Sequence, residues 1–427
     1  MDASKNNNPV KQQLFDLDLS ANIYTATRMK KWNQVFRTSV VLKQDVQPEI
    51  LSQAISDLRD RFPTLYVQLK TGFFRYKLRP AQNEDFLELE KDYPCRRMHI
   101  GSGQKPMFRV LYFQKRISVE FFHLVTDGSG SIVYLKTLLA RYFELQGRQI
   151  AKTHGVFDIH DEPKESETED SFRRIFNYKE EKISRGEPSA YQYRPETKQN
   201  YLKIVSGLMS VDQVKQITKP TGATITQYLV AAYMYAFYQN MLPNKSKKPI
   251  KISVPANLRS LFGSETLRNF SLFANIGIDP QSRDYTFEEI LSEIVPKIKK
   301  DLSKEALGRV ASANASDSNL LIFRLAPLPL KRLILKIGAV LYGTRLMTSS
   351  QTNLGIVTVP QEMEEHIDHF EIMIGEIIKN AINCATITYQ DVLNVTFTST
   401  SALTDIQRFF FTFLSEQGIH ISIQTNV

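Results

Sequence analysis

The stretch Ile117 to Leu135, ISVEFFHLVTDGSGSIVYL, constrains the fold of this chain more than any other. Its first part alternates. Ile117, Val119, Phe121 and His123 share one face of an extended strand, and Ser118 and Glu120 share the other. Further on, Ile132, Leu135, Leu139 and Tyr142 recur at helical spacing. Ser129 or Ser131 can cap that helix, and Gly147 can end it. Between the two lies Asp127-Gly128-Ser129-Gly130. A strand that turns through a glycine-rich loop into a long helix is an α/β unit, and it puts His123 at the strand's end on the apolar, inward face.

The neighbouring sequence extends this reading. QVFRTSVVLKQDV predicts a strand from its Val and Thr content. Ile50, Leu51, Ile55, Leu58 and Phe62 predict a helix that stops at Pro63. TLYVQLKTGFFRYKL predicts a hairpin turning at Thr71-Gly72. A chain of 427 residues exceeds what one core usually holds, so two lobes are expected. We place the N-terminal lobe, with the histidine motif, at 1–175, a connector at 176–200 and the C-terminal lobe at 201–427; the charged stretch 150–200 that runs into the connector is expected to be partly helical around Phe172 to Phe176. In that second part an amphipathic helix and a long apolar helix capped at Thr224 or Thr226 are expected. Strands follow at KKPIKISVPANLRS, FSLFANIGID, LGIVTV, FEIMIG, CATITYQ and VLNVTFTST, then the helix LTDIQRFFFTFLSEQG.

A strand-end histidine beside glycines suits a general base, because its ordinary pKa lies near neutrality and one ring nitrogen can be held while the other accepts a proton. The bland alternative is a core histidine with satisfied hydrogen bonds. On the His-x3-Asp spacing alone that alternative wins, since the chain has 7 histidines. The aspartate followed at once by glycine sharpens the case. A phosphate loop is disfavoured because the P-loop lysine is missing. A hydrolase elbow fails because Asp127, not glycine, lies two before Ser129. EEHIDHFE, with His366 and His369, reads as a solvated strand entry rather than a metal site, since residues three apart on a strand face opposite ways. LPLKRLILKIGAVLYGTR reads either as a helix lying on a membrane surface or as one packed on its own lobe with its basic residues outward.

Lys+Arg 54 against Asp+Glu 45 leaves +9, which suits an anionic partner, but no dense basic block interleaved with aromatics argues for nucleic acid. Cys95 and Cys384 form no CxxC pair, so a reducing cytoplasm is expected. The first twenty residues lack the apolar core of a signal peptide, and no window has the length of a bilayer span.

FFHLVTDGSGS resembles the HxxxDG motif of the chloramphenicol acetyltransferase-like superfamily, nearest to alcohol acetyltransferase and polyketide-associated acyltransferase-like members. The likeness extends to VVLKQDVQPEILSQAISDLRDRFPTLYVQLKTGFFRYKL, to SVPANLRSLFGSETLRNFSLFANIGI with an arginine after one strand and an asparagine before the next, and to QTNLGIVTVP, where Thr352 replaces the common serine. It covers most of residues 20 to 425. The resemblance implies an α/β fold of two similar lobes, each a mixed β-sheet flanked by helices, with a channel between them. It implies His123 as catalytic base, Asp127 turned away to pair with Arg259, and Gly128 keeping the channel floor clear. Asn353 and Ser271 are candidate oxyanion or channel contacts.

No bound cofactor or metal is implied. The donor would be a thioester on coenzyme A or an acyl carrier protein, and the acceptor an alcohol or amine on a small molecule. A monomer without nucleic acid or a transmembrane segment is expected. Phe122 stands where condensation domains often carry a second histidine, which lowers the case for amide formation, and no DFGWG-like segment is present. The alternatives are a non-catalytic relative that binds a carrier protein or ligand, an amide-forming condensation enzyme, and a basic protein of membrane or nucleic-acid surfaces.

Overall fold

The structure, a computed structural model, describes residues 14–26, 34–82, 86–98, 106–176, 187–195, 197–242, 246–318, 326–377 and 381–426. Much of the expected connector and the first 13 residues lie outside these. The helix expected near Phe172 is present at Ser171–Ile175.

The β-branched run Val35–Leu42 is a central strand, paired antiparallel with the motif strand Arg116–Phe122. Phe108–Phe113 and then Leu87–Leu89 extend that sheet on one side. On the other side its edge is Ile367–Ile374, which registers Phe370 opposite Val40. The five-stranded sheet of the first lobe thus takes one strand from the last quarter of the chain. Helix Gly128–Leu145 lies over it and against helix Pro48–Asp57. Phe62, Phe108, Phe121 and Tyr134 fill the space between in edge-on and stacked ring contacts.

Alternation on the motif strand does not mark a solvent face. Ser118 and Glu120 are as buried as Val119. Glu120 accepts from Arg37 Nη2 at 2.6 Å, Arg109 Nη2 at 2.5 Å and the Cys95 amide at 2.6 Å. Burial alone would raise this carboxyl, but the two guanidinium groups outweigh it and hold it below its ordinary value.

The second lobe is a seven-stranded mixed sheet. Its order is Ser271–Ile278, Ile250–Asn257, Ser349–Val357, Ile382–Tyr389, Val392–Ser401, Lys198–Ser210 and Ile421–Thr425. Ser349–Val357 runs parallel to both of its neighbours, and the other pairs are antiparallel. Helix Ile225–Met241 is apolar on nearly every side, and its Tyr233 and Phe237 are completely buried. Thr224 supplies its cap through a reciprocal bond with Gln227. A three-stranded sheet joins Phe15–Asp16 to the expected hairpin, Val67–Thr71 and Tyr76–Pro80. Helices Phe287–Asp301 and Lys304–Ser318 and strand Ile421–Thr425 were not expected from the sequence pattern.

One expectation is corrected. In EEHIDHFE the strand-entry residues Glu364, Glu365 and Asp368 are exposed as expected, but His369 is not solvated: it is buried at the sheet edge. It bonds Asp368 at 2.6 Å and faces Glu371 at 3.4 Å, while Glu371 binds Arg116 through both oxygens, at 2.9 and 3.0 Å. A bulge between Ile367 and His369 breaks the simple alternation that the outward reading assumed.

Candidate active site

His123 follows directly on the motif strand, and its amide donates to the Gln34 carbonyl at 2.8 Å. The residue is half-buried. Tyr24 stacks on it with centroids 4.6 Å apart, and Phe36 meets it at 4.9 Å. Nδ1 lies 3.0 Å from Asn269 Oδ1. The orientation of the Asn269 amide is set by its other end, since Nδ2 donates to the Leu124 carbonyl at 3.2 Å and to Asp18 Oδ2 at 3.3 Å. Oδ1 is therefore the acceptor and His123 Nδ1–H the donor. That leaves Nε2 with its lone pair free. Burial lowers the His123 pKa below its ordinary value; a bond to its own backbone, the Asp127 charge and the Asn269 bond oppose the shift without cancelling it. Burial thus favours the neutral ring.

Asp18 is wholly buried beneath Asn269. Its Oδ1 accepts from the Ala21 amide at 2.7 Å and so ties down the helix Leu19–Ala26, which carries Tyr24. Burial pushes its carboxyl up to about 6, with Arg268 opposing and Asp170 adding to the rise.

Asp127 does not reach the imidazole's Nδ1, which Asn269 occupies. Its Oδ1 accepts from the Ser129 and Gly130 amides at 3.1 and 3.2 Å, capping helix Gly128–Leu145. Its Oδ2 accepts from Arg259 Nη1 and from the Phe270 amide, both at 2.9 Å. Burial would raise this carboxyl; Arg259 and the amide donors outweigh it and hold it below the usual carboxylate range. Arg259 is also spent on carbonyls, donating to Thr266 at 2.7 Å and Arg268 at 2.5 Å.

The five residues Thr266 to Phe270 therefore form the other half of the site. The Thr266 and Arg268 carbonyls hold Arg259, the Leu267 carbonyl accepts from Thr126 Oγ1 at 2.6 Å, Asn269 holds His123, and Phe270 holds Asp127. Asn269, Asp18 and Tyr24 were not picked out as site residues from the sequence, although Asn269 lies in the RNF segment that carried part of the resemblance.

The two loop glycines face different neighbours. A methyl group on Gly128 would overlap the Leu354 side chain, which can turn aside. On Gly130 it would overlap Thr126 Oγ1 and the Leu267 carbonyl oxygen, which belong to the loop's own anchor. Gly130→Ala is expected to cost about 1–3 kcal/mol in a denaturant titration, and Gly128→Ala less. Equal costs for the two would contradict this account.

Of the other candidates, Asn353 has both ends of its amide engaged. Nδ2 donates to Thr226 Oγ1 at 2.7 Å, and Oδ1 accepts from the Gly355 amide at 2.7 Å, where Gly355 takes a φ of +78°. Ser271 opens the strand Ser271–Ile278, opposite Asn257.

No family model and no curated protein matches the sequence. Solved structures do match the fold. F. graminearum TRI101, in complex with coenzyme A and T-2 mycotoxin, superposes with a TM-score of 0.65 at 8% identity, over 96% of this chain and 99% of that one. The chain has the two-lobed chloramphenicol acetyltransferase-like fold. The TRI3 trichothecene 15-O-acetyltransferase of Fusarium sporotrichioides gives 0.62 at 10% identity, over 95% and 94% of the two chains. Polyketide synthase associated protein 5 of Mycobacterium tuberculosis gives 0.61 at 16%, over 93% and 96%. The chloramphenicol acetyltransferase-like fold therefore spans nearly the whole chain, at identities where only the fold is shared evidence.

Proposed function

We propose that this protein is an acyltransferase that moves an acyl group from a thioester, on coenzyme A or an acyl carrier protein, to a hydroxyl acceptor, with His123 as general base. The observation that carries the reading is the fixed imidazole. Asn269 holds Nδ1–H, which leaves Nε2 as the nitrogen without a proton on a half-buried residue whose burial favours the neutral ring. In the reaction Nε2 takes the proton as the acceptor oxygen attacks the thioester carbonyl. The C–S bond then breaks, and the same proton passes to the departing thiolate. Donor and acceptor meet directly, so no acyl-enzyme is required. Asp127 and Arg259 keep the loop that carries His123 in place, and Gly128 and Gly130 let it approach the second lobe. The matched complexes with coenzyme A support the donor class. No helix among the described residues is long and apolar enough to cross a membrane.

The direct test is thiol release from a panel of acyl-CoA donors with mixed alcohols and amines. Acceptor-dependent release is the expected result. Absence of release from every pair, repeated with acylated carrier proteins, would overturn the proposal in favour of a binding role.

Asn269→Ala gives a finer test. Loss of the fixed tautomer is expected to lower kcat by about 10- to 100-fold, part of the 10²–10⁴ typical of general base catalysis, with KM little changed. The bond from Nδ1–H supports the protonated ring, so its removal is expected to move the acid limb of kcat/KM to lower pH. An unmoved limb would separate Asn269 from His123.

A further inference from the structure

Helix Leu328–Tyr342 presents its apolar stripe to solvent. Leu330, Leu333, Ile334 and Ile337 are spaced i, i+3, i+4, i+7 and are 48%, 55%, 44% and 51% exposed. At helical pitch they fall within about 100° of one another. The opposite side, with Leu328 buried and Leu335 half-buried, faces the protein, where the helix packs on Leu19–Ala26. The helix is thus apolar on two sides, one packed against the protein and one bare. A second exposed apolar element adjoins it. The hairpin tip carries Phe73 and Phe74, 70% and 48% exposed and packed edge to face. The Phe73 carbonyl accepts from the Leu328 amide at 3.1 Å, and the Phe74 carbonyl accepts from Lys331 Nζ at 2.8 Å. Six large apolar side chains so form one continuous outward face, more than a soluble monomer ordinarily leaves bare.

Charge decides what covers it. Lys331 and Lys336 flank the helical stripe on its two sides, and Arg332 lies further round the helix. Arg332 and Lys336 are exposed, as are Lys70 and Arg75 beside the hairpin tip. Neither segment contains an acidic residue, since none occurs between Asp60 and Glu84 or between Asp317 and Glu362. A helix with a shallow apolar stripe, aromatic side chains at the same level and a rim of cations alone matches the headgroup plane of an anionic bilayer. A second copy of the same face would set cation against cation.

We propose that the face made by helix Leu328–Tyr342 and the Phe73–Phe74 tip docks the protein on anionic lipid membranes, lying in the interface without spanning it. The helix packs on Leu19–Ala26, whose Tyr24 stacks on His123, so the docked face stands one helix away from the imidazole. The inference does not depend on acyl transfer, because its test reads binding alone.

The test is co-sedimentation of the full-length protein with phosphatidylcholine vesicles, with and without about one third phosphatidylglycerol. Binding to the anionic vesicles, falling on addition of salt, is expected, with much weaker binding to the neutral ones. Leu333→Ser combined with Ile337→Ser is expected to lower the partition coefficient at least about tenfold. Arg332→Glu with Lys336→Glu is expected to do so by a similar factor. Unchanged melting temperatures show that the variants are folded, since all four positions are exposed. No binding to anionic vesicles, or binding indifferent to both pairs of substitutions, overturns the proposal. So does a dimer in light scattering that the apolar pair dissociates, which would assign the face to a second copy.

Discussion

His123→Ala is expected to reduce acceptor-dependent thiol release by about 10²- to 10⁴-fold while leaving the protein folded. The size follows from what is removed. Nε2 is the only imidazole nitrogen left free by the Asn269 bond, and it accepts the acceptor's proton in the proposed transition state. Without it, the hydroxyl must attack with its proton still attached. The fold should tolerate the loss because the residue is only half-buried and its neighbours Tyr24 and Phe36 belong to separately anchored elements. Thiol release and a thermal melt on the same preparation check both halves. Turnover near that of the unaltered protein would remove His123 from the chemistry. In the unaltered protein the acid limb of kcat/KM should fall below the ordinary histidine value of about 6.5, because burial depresses the imidazole.

Asp127→Asn is expected to destabilise by about 3–5 kcal/mol, the usual cost of breaking a buried pair by removing one charge. The side chains of Asp127 and Arg259 are only 5% and 13% exposed. An asparagine amide, moreover, cannot accept from Arg259, Phe270, Ser129 and Gly130 together, so at least one donor is left facing a donor. Activity should fall with stability, because the Asp127 loop carries His123. The linkage has a definite sign. The folded carboxyl titrates below its unfolded value of about 3.9, so its stabilisation is present above that pH and is lost as the pH falls through the folded value. The substituted protein should therefore show a flatter loss of stability on acidification. The measurement is Tm across that range beside thiol release at neutral pH. An unchanged Tm with lost activity would assign Asp127 to the reaction itself.

Local pattern carried a good deal of this molecule. The alternation of Ile117 to Phe121, the glycine-rich turn and the spacing of Ile132, Leu135 and Leu139 are short-range properties, and they located the strand, loop and helix that present His123. The asparagine at 269 is different. Nothing in its own segment says that it will meet an imidazole 146 positions away. Likewise, Gly130 looks no different from Gly128 until Leu267 is brought against it. Strand Ile367–Ile374 reads as a strand, but its membership of the first lobe's sheet depends on a hydrogen-bonding edge supplied by Val35–Leu42. The alternation set Ser118 and Glu120 on a face of their own without saying what covers it; in the fold Arg37 and Arg109 close over Glu120 and make burial tolerable.

The same division holds for helix Leu328–Tyr342. Its sequence determined that it would be amphipathic, and left two orientations open. Only the tertiary structure decided that the apolar stripe points away from the protein. Periodicity reports how residues are spaced around one element. Which side of that element meets protein, lipid or water is set by the surfaces that other parts of the chain bring to it, and those are fixed only when the whole chain has folded.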